Sequence, residues 1–279
     1  MVKKLITALG ALWVLDGMLQ LQPAMFTPAF ITGVLAPNLQ NQPGVIAAIV
    51  AFGIRVFGRD LFWSNLAAAG IQLFIGALLL LPVKPSLRRF GLWTSVAWAL
   101  IVWAFGEGFG NLATGSASFY TGAPGAALLY AILALFLLYA EKRPSAVKYL
   151  PATAGGIILV CAMLNITPMF WQPGMLSMLA GVAPASNWLG SLGVAGSTIG
   201  NGIAFLLLFL LGMLLVFYPG RATAWLAIAF LAAVWWISQD FGGMLSFPSG
   251  MATDPNSAPL LALFLLPALA AGSVAPQTD

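Results

Sequence analysis

The sequence predicts an all-α integral membrane protein: eight transmembrane helices in two parallel four-helix repeats, with extracytoplasmic cap loops or short interfacial helices. Three observations carry this. Of 279 residues, 61% are hydrophobic and only 6% charged, whereas a soluble domain carries roughly a quarter of its residues as charges. The chain therefore lacks the side chains to cover a water-facing surface. Apolar runs close to the ~20 residues that cross a bilayer recur along it. Phrases of the first half also return, in the same order, in the second.

The elements follow in chain order. The opening MVKKLITALGALWVLDG has a basic start and an apolar run, as a signal peptide does. No small-residue cleavage site follows it, so it reads as a retained first helix. The first four spans are predicted at Leu5 to Leu21, Phe62 to Val83, Phe90 to Phe105 and Ala123 to Ala140. A polar, basic connector, EKRPSAVKY, comes next. The last four spans are predicted at Leu150 to Ile166, Ile199 to Tyr218, Ala222 to Ile237 and Ser257 to Ala271. The repeats are then residues 1–141 and 150–279, joined by a cytoplasmic linker at 142–149.

Gly44 to Phe57 is apolar but short and contains Arg55. If it stays at the surface, Lys3, Lys4, Lys84, Arg88, Arg89, Lys142, Arg143, Lys148 and Arg221 all fall on one side. The positive-inside rule therefore makes it interfacial or re-entrant and places both termini in the cytoplasm of a plasma-membrane protein.

Aligning Pro23 with Pro168 pairs Met18 with Met163, Gln20 with Asn165, Phe26 with Trp171 and Pro28 with Pro173. Aligning Trp103 with Trp235 pairs Phe109 and Gly110 with Phe241 and Gly242. Continued without a gap, it pairs Leu128 and Leu129 with Leu260 and Leu261. Four spans per half is an even number, so the repeats are parallel rather than inverted. All the irregular phrases then fall on the extracytoplasmic side, where long loops tend to carry function.

The candidate site residues lie there. Asp16 sits inside the first span, where an acid is costly and must face protein or water. It reads either as a proton or cation site, as a partner for Arg55, or as a buried structural pair. Gln20 and Gln22 follow it at the helix exit. Glu107, Asp240 and Asp254 lie at outer helix ends and join Asp16 as candidates for one network; solvated loop charges are the plain alternative.

Most methionines are also on the outer side. Met18, Met25, Met163, Met169, Met175 and Met178 form a thioether set suited to Cu(I), or else fill apolar gaps. Outer aromatics read as an interfacial belt, with a quinone-binding pocket as the alternative. The chain has no histidine and one cysteine, Cys161, so the usual haem and zinc ligand sets are missing and no haem or zinc site is expected. The basic residues flank apolar runs, which sets orientation rather than nucleic-acid binding.

The stretch GIQLFIGALLLLPVKPSLRRFG, with Gln72 four before Gly76 and then a leucine run and Arg88–Arg89, resembles the DoxX-like superfamily of four-helix membrane proteins. LLLFLLGMLLVFYPGR, with Gly212 and Arg221, offers the same pattern. Members often carry an acid where this chain has Gln72 and Leu208. The resemblance implies association with extracytoplasmic redox or quinone-linked systems and transfers no catalytic residue.

The expected function is a non-catalytic or accessory membrane protein that binds a quinone-like lipophilic ligand, or a membrane-protein partner, at its outer face. A proton-coupled small-molecule transporter and extracytoplasmic Cu(I) handling are the alternatives.

Overall fold

The computed structural model describes residues 1–168, 170–172 and 198–271. Among them every regular element is helical. The longer helices are α1 (Val2–Leu19), α2 (Gly44–Gly58), α3 (Leu61–Leu80), α4 (Pro85–Ile101), α5 (Ala126–Lys142), α6 (Leu150–Leu164), α7 (Thr198–Phe217), α8 (Arg221–Ile237) and α9 (Ser257–Ala271). Their ends have local causes. Asp60 caps α3 by accepting the N–H of Trp63 at 3.3 Å, Pro85 opens α4 at a position where its missing N–H costs nothing, and Gln20, Leu21 and Gln22 before Pro23 close α1.

Four helical stretches among the described residues are long and apolar enough to cross a membrane: Leu61–Leu80, Pro85–Gly106, Pro144–Leu164 and Thr198–Phe217. A fifth is reached if Arg221–Ile237 is counted with Asp240–Ser246, across a 53° bend. Helix α2, at 15 residues, is shorter than these. It packs on the end of α4, where the chain widens into a π-turn at Val102–Gly106.

The packing falls into two similar sets. Helix α1 lies against α3 and α5, and α4 against α3 and α5; α6 lies against α7 and α9, and α8 against α7 and α9. The sets meet where α5 touches α9. One apolar core, with Leu9, Leu129, Leu133, Ile158, Leu208 and Phe264 at zero exposure, runs through both.

Close backbone approach fixes the tightest pair in each set. A Cβ on Gly76 would stand 2.5 Å from Val14 Cγ2 and 2.9 Å from the Gly10 carbonyl oxygen. One on Gly212 would stand 2.7 Å from Leu159 Cγ and 3.0 Å from the Gly155 carbonyl oxygen. Small residues let helices in lipid gain dispersion contacts along the whole seam.

At the basic end, Arg88 and Arg89 hold Glu141 at 3.2 and 3.4 Å, so the α4 start and the α5 end share one side. At the opposite end the loops close over one another. Asn38 donates to the Gly106 carbonyl at 2.7 Å, and Gln42 to that of Gly108 at 3.0 Å. Gln22 donates to the Ala252 carbonyl at 2.9 Å, Gln239 to that of Phe119 at 3.0 Å, and Tyr120 to that of Ala204 at 2.8 Å. The loop before α9 thus rests on the first set, and the loop before α5 rests on the second.

The ungapped pairing of Leu128 and Leu129 with Leu260 and Leu261 needs correction. Trp103 Nε1 donates to the Pro124 carbonyl and Trp235 Nε1 to that of Pro255. Ala127 N–H meets the side chain of residue 107, and Ala258 N–H that of residue 239. The second loop is therefore one residue shorter, so Leu129 matches Leu260 and Tyr130 matches Leu261. Leucine-rich sequence hides such a slip.

Two substitutions on α3 separate packing from propensity. Gly76→Ala is expected to destabilise by about 1–3 kcal/mol, because its Cβ has no room. Gly70→Ala, with nothing within 4 Å, is expected to be neutral or to stabilise by about 0.5–1 kcal/mol. Thermal unfolding of both variants in one detergent checks the contrast.

Candidate functional site

The end of α4 builds one wall of the site. Its π-turn lets Glu107 N–H reach back to the Val102 carbonyl at 2.9 Å, and such wide turns recur at functional sites. Phe109 and Gly110 then take left-handed φ of 58° and 63°. This turns the chain so that the Phe109 ring meets Trp103 edge-on at 5.1 Å. Phe241 and Gly242 repeat the device with φ of 52° and 68° and a ring distance of 5.0 Å to Trp235. A Cβ on Gly242 would stand 2.6 Å from the Asp254 carbonyl oxygen, so glycine is required there by space as well as by φ.

The turn delivers Glu107 to the start of α5, where Oε1 accepts the Ala127 N–H at 3.0 Å. Oε2 is buried with no partner. Asp254 comes from the loop before α9, with Oδ2 accepting from the Thr253 hydroxyl and Oδ1 from the Asn256 N–H, both at 2.7 Å. Asp16, on α1, is 2% exposed, and its Oδ1 has no hydrogen-bond partner. The Tyr130 hydroxyl of α5 faces it, and the Tyr130 ring lies tilted by 40° against Trp13 with centroids 4.4 Å apart.

These groups line one cavity of about 150 Å³. Its walls are aromatic, with Trp13, Phe30, Phe57, Trp98 and Phe105, and its polar lining includes Asp16, Gln20, Gln72, Tyr130, Glu107, Thr253 and Asp254. Gln72, at 6% exposure, and Tyr130, at 1%, leave Oε1 and the hydroxyl unpartnered, and so does Trp98 Nε1. Glu107 and Asp254 also line a wider cleft of about 830 Å³ beneath the loops at the end opposite Arg88 and Arg89, together with Asn38, Asn111 and Asn256. The two carboxyls stand at the neck between cavity and cleft.

The charges there are unbalanced. Burial pushes the Glu107 carboxyl up to about 8; the facing Asp254 carboxylate adds to the rise, and the N–H groups of Ala127 and Ala126 pull against it. Burial likewise raises Asp254, opposed by the Thr253 hydroxyl and the Asn256 N–H.

The sequence candidates distribute as follows. Asp16, Gln20 and Glu107 reach the cavity. Gln22 is buried at the helix exit, donating to Leu19 and Ala252 carbonyls rather than lining the cavity. Arg55 is exposed on α2 and makes no ion pair among the described residues, so the expected Asp16–Arg55 pair does not form. An amphipathic helix on the bundle's edge turns its one cation to the outside. Asp240 is half-buried and lines neither hollow.

Met18 and Met163 are exposed, while Met25 is buried among Phe30, Leu35 and their neighbours, so these three do not converge on one point. Met169, Met175 and Met178 lie outside the described residues. Among the described residues no group of three His, Cys, Asp or Glu is placed to hold a metal ion. Tyr130 and Trp98 were not singled out by sequence; a tyrosine in the middle of an alanine- and leucine-rich span was the available signal.

The matching place in the second set is apolar or neutral. Cys161 stands where Asp16 does, Gln239 where Glu107 does, Leu261 where Tyr130 does and Leu208 where Gln72 does. Cys161 Sγ lies 3.7 Å from the carbonyl of Ala123, the residue that matches Asp254. Comparison with protein-family models, curated proteins and solved structures finds no match to this chain.

Stability should depend on pH through Glu107. Its folded carboxyl is held protonated, so the stability it contributes is complete at low pH. That contribution falls away as pH climbs from the ordinary value of 4.5 through about 8. Glu107→Gln is expected to flatten this fall and to keep the helix cap, as Gln239 does for α9. Thermal unfolding of both proteins across that pH range reads the difference; identical profiles would assign the pH dependence elsewhere.

Proposed function

We propose that the protein is an eight-span, tandemly duplicated membrane protein, of the DoxX-like kind its second and third helices resemble. On this reading it binds a ring-bearing lipophilic ligand, quinone-like in shape, beneath its outer loops. The observation that carries the ligand reading is the cavity. It is aromatic-walled, close in volume to one that takes a single benzene-sized ring, and edged by buried polar atoms that lack partners. A void needed only for packing would be lined by satisfied or apolar groups.

Several observations support the span count. Helices α1, α5 and α9, at 18, 17 and 15 residues, are short for a ~30 Å hydrocarbon layer. They are also heavily buried by neighbours, which shelters their ends from lipid. Nine basic residues gather at the end opposite the cap if all eight helices cross, and the Arg88–Glu141 and Arg89–Glu141 pairs are consistent with that side. The paired hydrogen bonds of Trp103 and Trp235, and the paired glycine seams, support duplication. The polar first-half site beside its apolar twin supports one working site per chain.

Two experiments test this reading. With Cys161 replaced by alanine, Ser249→Cys is expected to react with an impermeant thiol reagent from outside the cell, and Ser145→Cys only after permeabilisation. The reverse pattern, or equal labelling, would rule out the topology. A short-tailed benzoquinone is expected to quench tryptophan fluorescence saturably through Trp13 and Trp98. Ala68→Leu, which fills the cavity wall, should abolish the saturable phase without loss of folded protein. Unchanged quenching in the variant would place the ligand elsewhere.

A further inference from the structure

The cavity and the acids at its neck have a charge relation that ring size alone does not explain. Asp16, Glu107 and Asp254 act on one another electrostatically, yet among the described residues no cation is paired with them. Helix α3 carries no titratable residue, α2 brings only exposed Arg55 and is followed by exposed Arg59, and Arg88 and Arg89 on α4 are engaged by Glu141 at the far end. From α5 the facing titratable group is Tyr130.

Carboxylates taken out of water need either a proton or a partner of opposite charge. The second set shows that the fold itself needs neither. Gln239 caps its helix as well as Glu107 does, and the place of Asp16 is filled by a thiol. The acids are therefore an addition to the scaffold. Besides the two acids at the neck, Asp16, Gln72 and Tyr130 line the same space, each with a buried side-chain oxygen that lacks a hydrogen-bond partner.

Resting on the ring-pocket reading above, we propose that the occupant is a ring-bearing organic monocation, an arylalkylammonium. Its ring lies in the aromatic cavity, its ammonium stands at the neck between Glu107 and Asp254, and it exchanges with a carboxyl proton. The walls suit such a ligand twice over, since an aromatic face attracts a cation and excludes competing water. The exchange balances: one ammonium enters, one carboxyl O–H ionises, and one proton leaves through the outer cleft. The net charge of the site does not change. Glu107 is the exchanging group, because it faces both hollows and already spends one oxygen on the α5 cap.

The test is calorimetric titration of the purified full chain with benzylammonium between pH 6 and 8, in two buffers of different ionisation heat. Benzyl alcohol serves as the neutral isostere. Expected are release of one proton per ligand bound, affinity that weakens about tenfold per pH unit as pH falls, and roughly tenfold or weaker binding of benzyl alcohol. Glu107→Gln should lose the proton release, whereas Asp254→Asn should weaken benzylammonium binding and keep the release, both variants still eluting as folded protein. Equal binding of benzyl alcohol, or binding without proton release, overturns the cation inference and leaves the ring pocket standing. Failure of benzylammonium, benzyl alcohol and the short-tailed benzoquinone alike overturns both.

Discussion

Gln22 and Gln239 each send an amide proton to a main-chain carbonyl of a loop that leads into the other set's last helix. Both glutamines are buried at the outer end of the bundle. An unmade hydrogen bond there would leave a carbonyl and an amide unsatisfied away from water, which is more costly than the modest net gain of a made one. The exchange of loops is therefore strongly specified. It is also what makes the site composite: Asp254 lies on the second set's loop, yet its carboxyl lines a cavity walled by α1, α3, α4 and α5. Neither set alone contains the neck between cavity and cleft.

The same exchange run in the other direction yields nothing chemical. Ala123, on the first set's loop, arrives beside Cys161 with a methyl group where Asp254 offers a carboxyl. At the aligned positions the second set carries Cys161 for Asp16, Gln239 for Glu107, Leu261 for Tyr130 and Leu208 for Gln72, while Ala123 of the first set's loop aligns with Asp254. The helix geometry survives all five, since the glycine seams, the Trp-to-proline hydrogen bonds and the left-handed Phe–Gly corners are kept. Scaffold and chemistry are thus carried by different residues, and the two sets serve as an internal control on each other.

Much of this was legible in sequence, for physical reasons. Long apolar runs bounded by Pro, Gly and charge place helices within a few residues, and the observed ends, such as Leu61–Leu80 against Phe62 to Val83, follow that pattern. The network of Asp16, Glu107 and Asp254 was readable as a candidate because acids are rare in such a chain. Loop exchange was not readable. It depends on where a chain lies after leaving its helix, and no periodicity reports that. Arg55 misled for the same reason: helix α2 was recognised, but the face it turns to the bundle was not. Tyr130 and Trp98 were hidden among the many aromatics of a membrane protein, where an interfacial belt is the default explanation.

The depth of the site limits what it can do. Below Asp16, the inward face of α1 presents Trp13, Leu9, Ile6 and Leu5, all buried in the continuous apolar core. The nearest polar contact there, Trp13 Nε1 to the Ser95 hydroxyl at 2.8 Å, is already closed. The acids line hollows at the end opposite the basic residues, and beneath them lies packed hydrocarbon through which a bare charge passes only at high cost. The glycine seam at Gly76, with no room for even one methyl group, holds α1 to α3 beside this site.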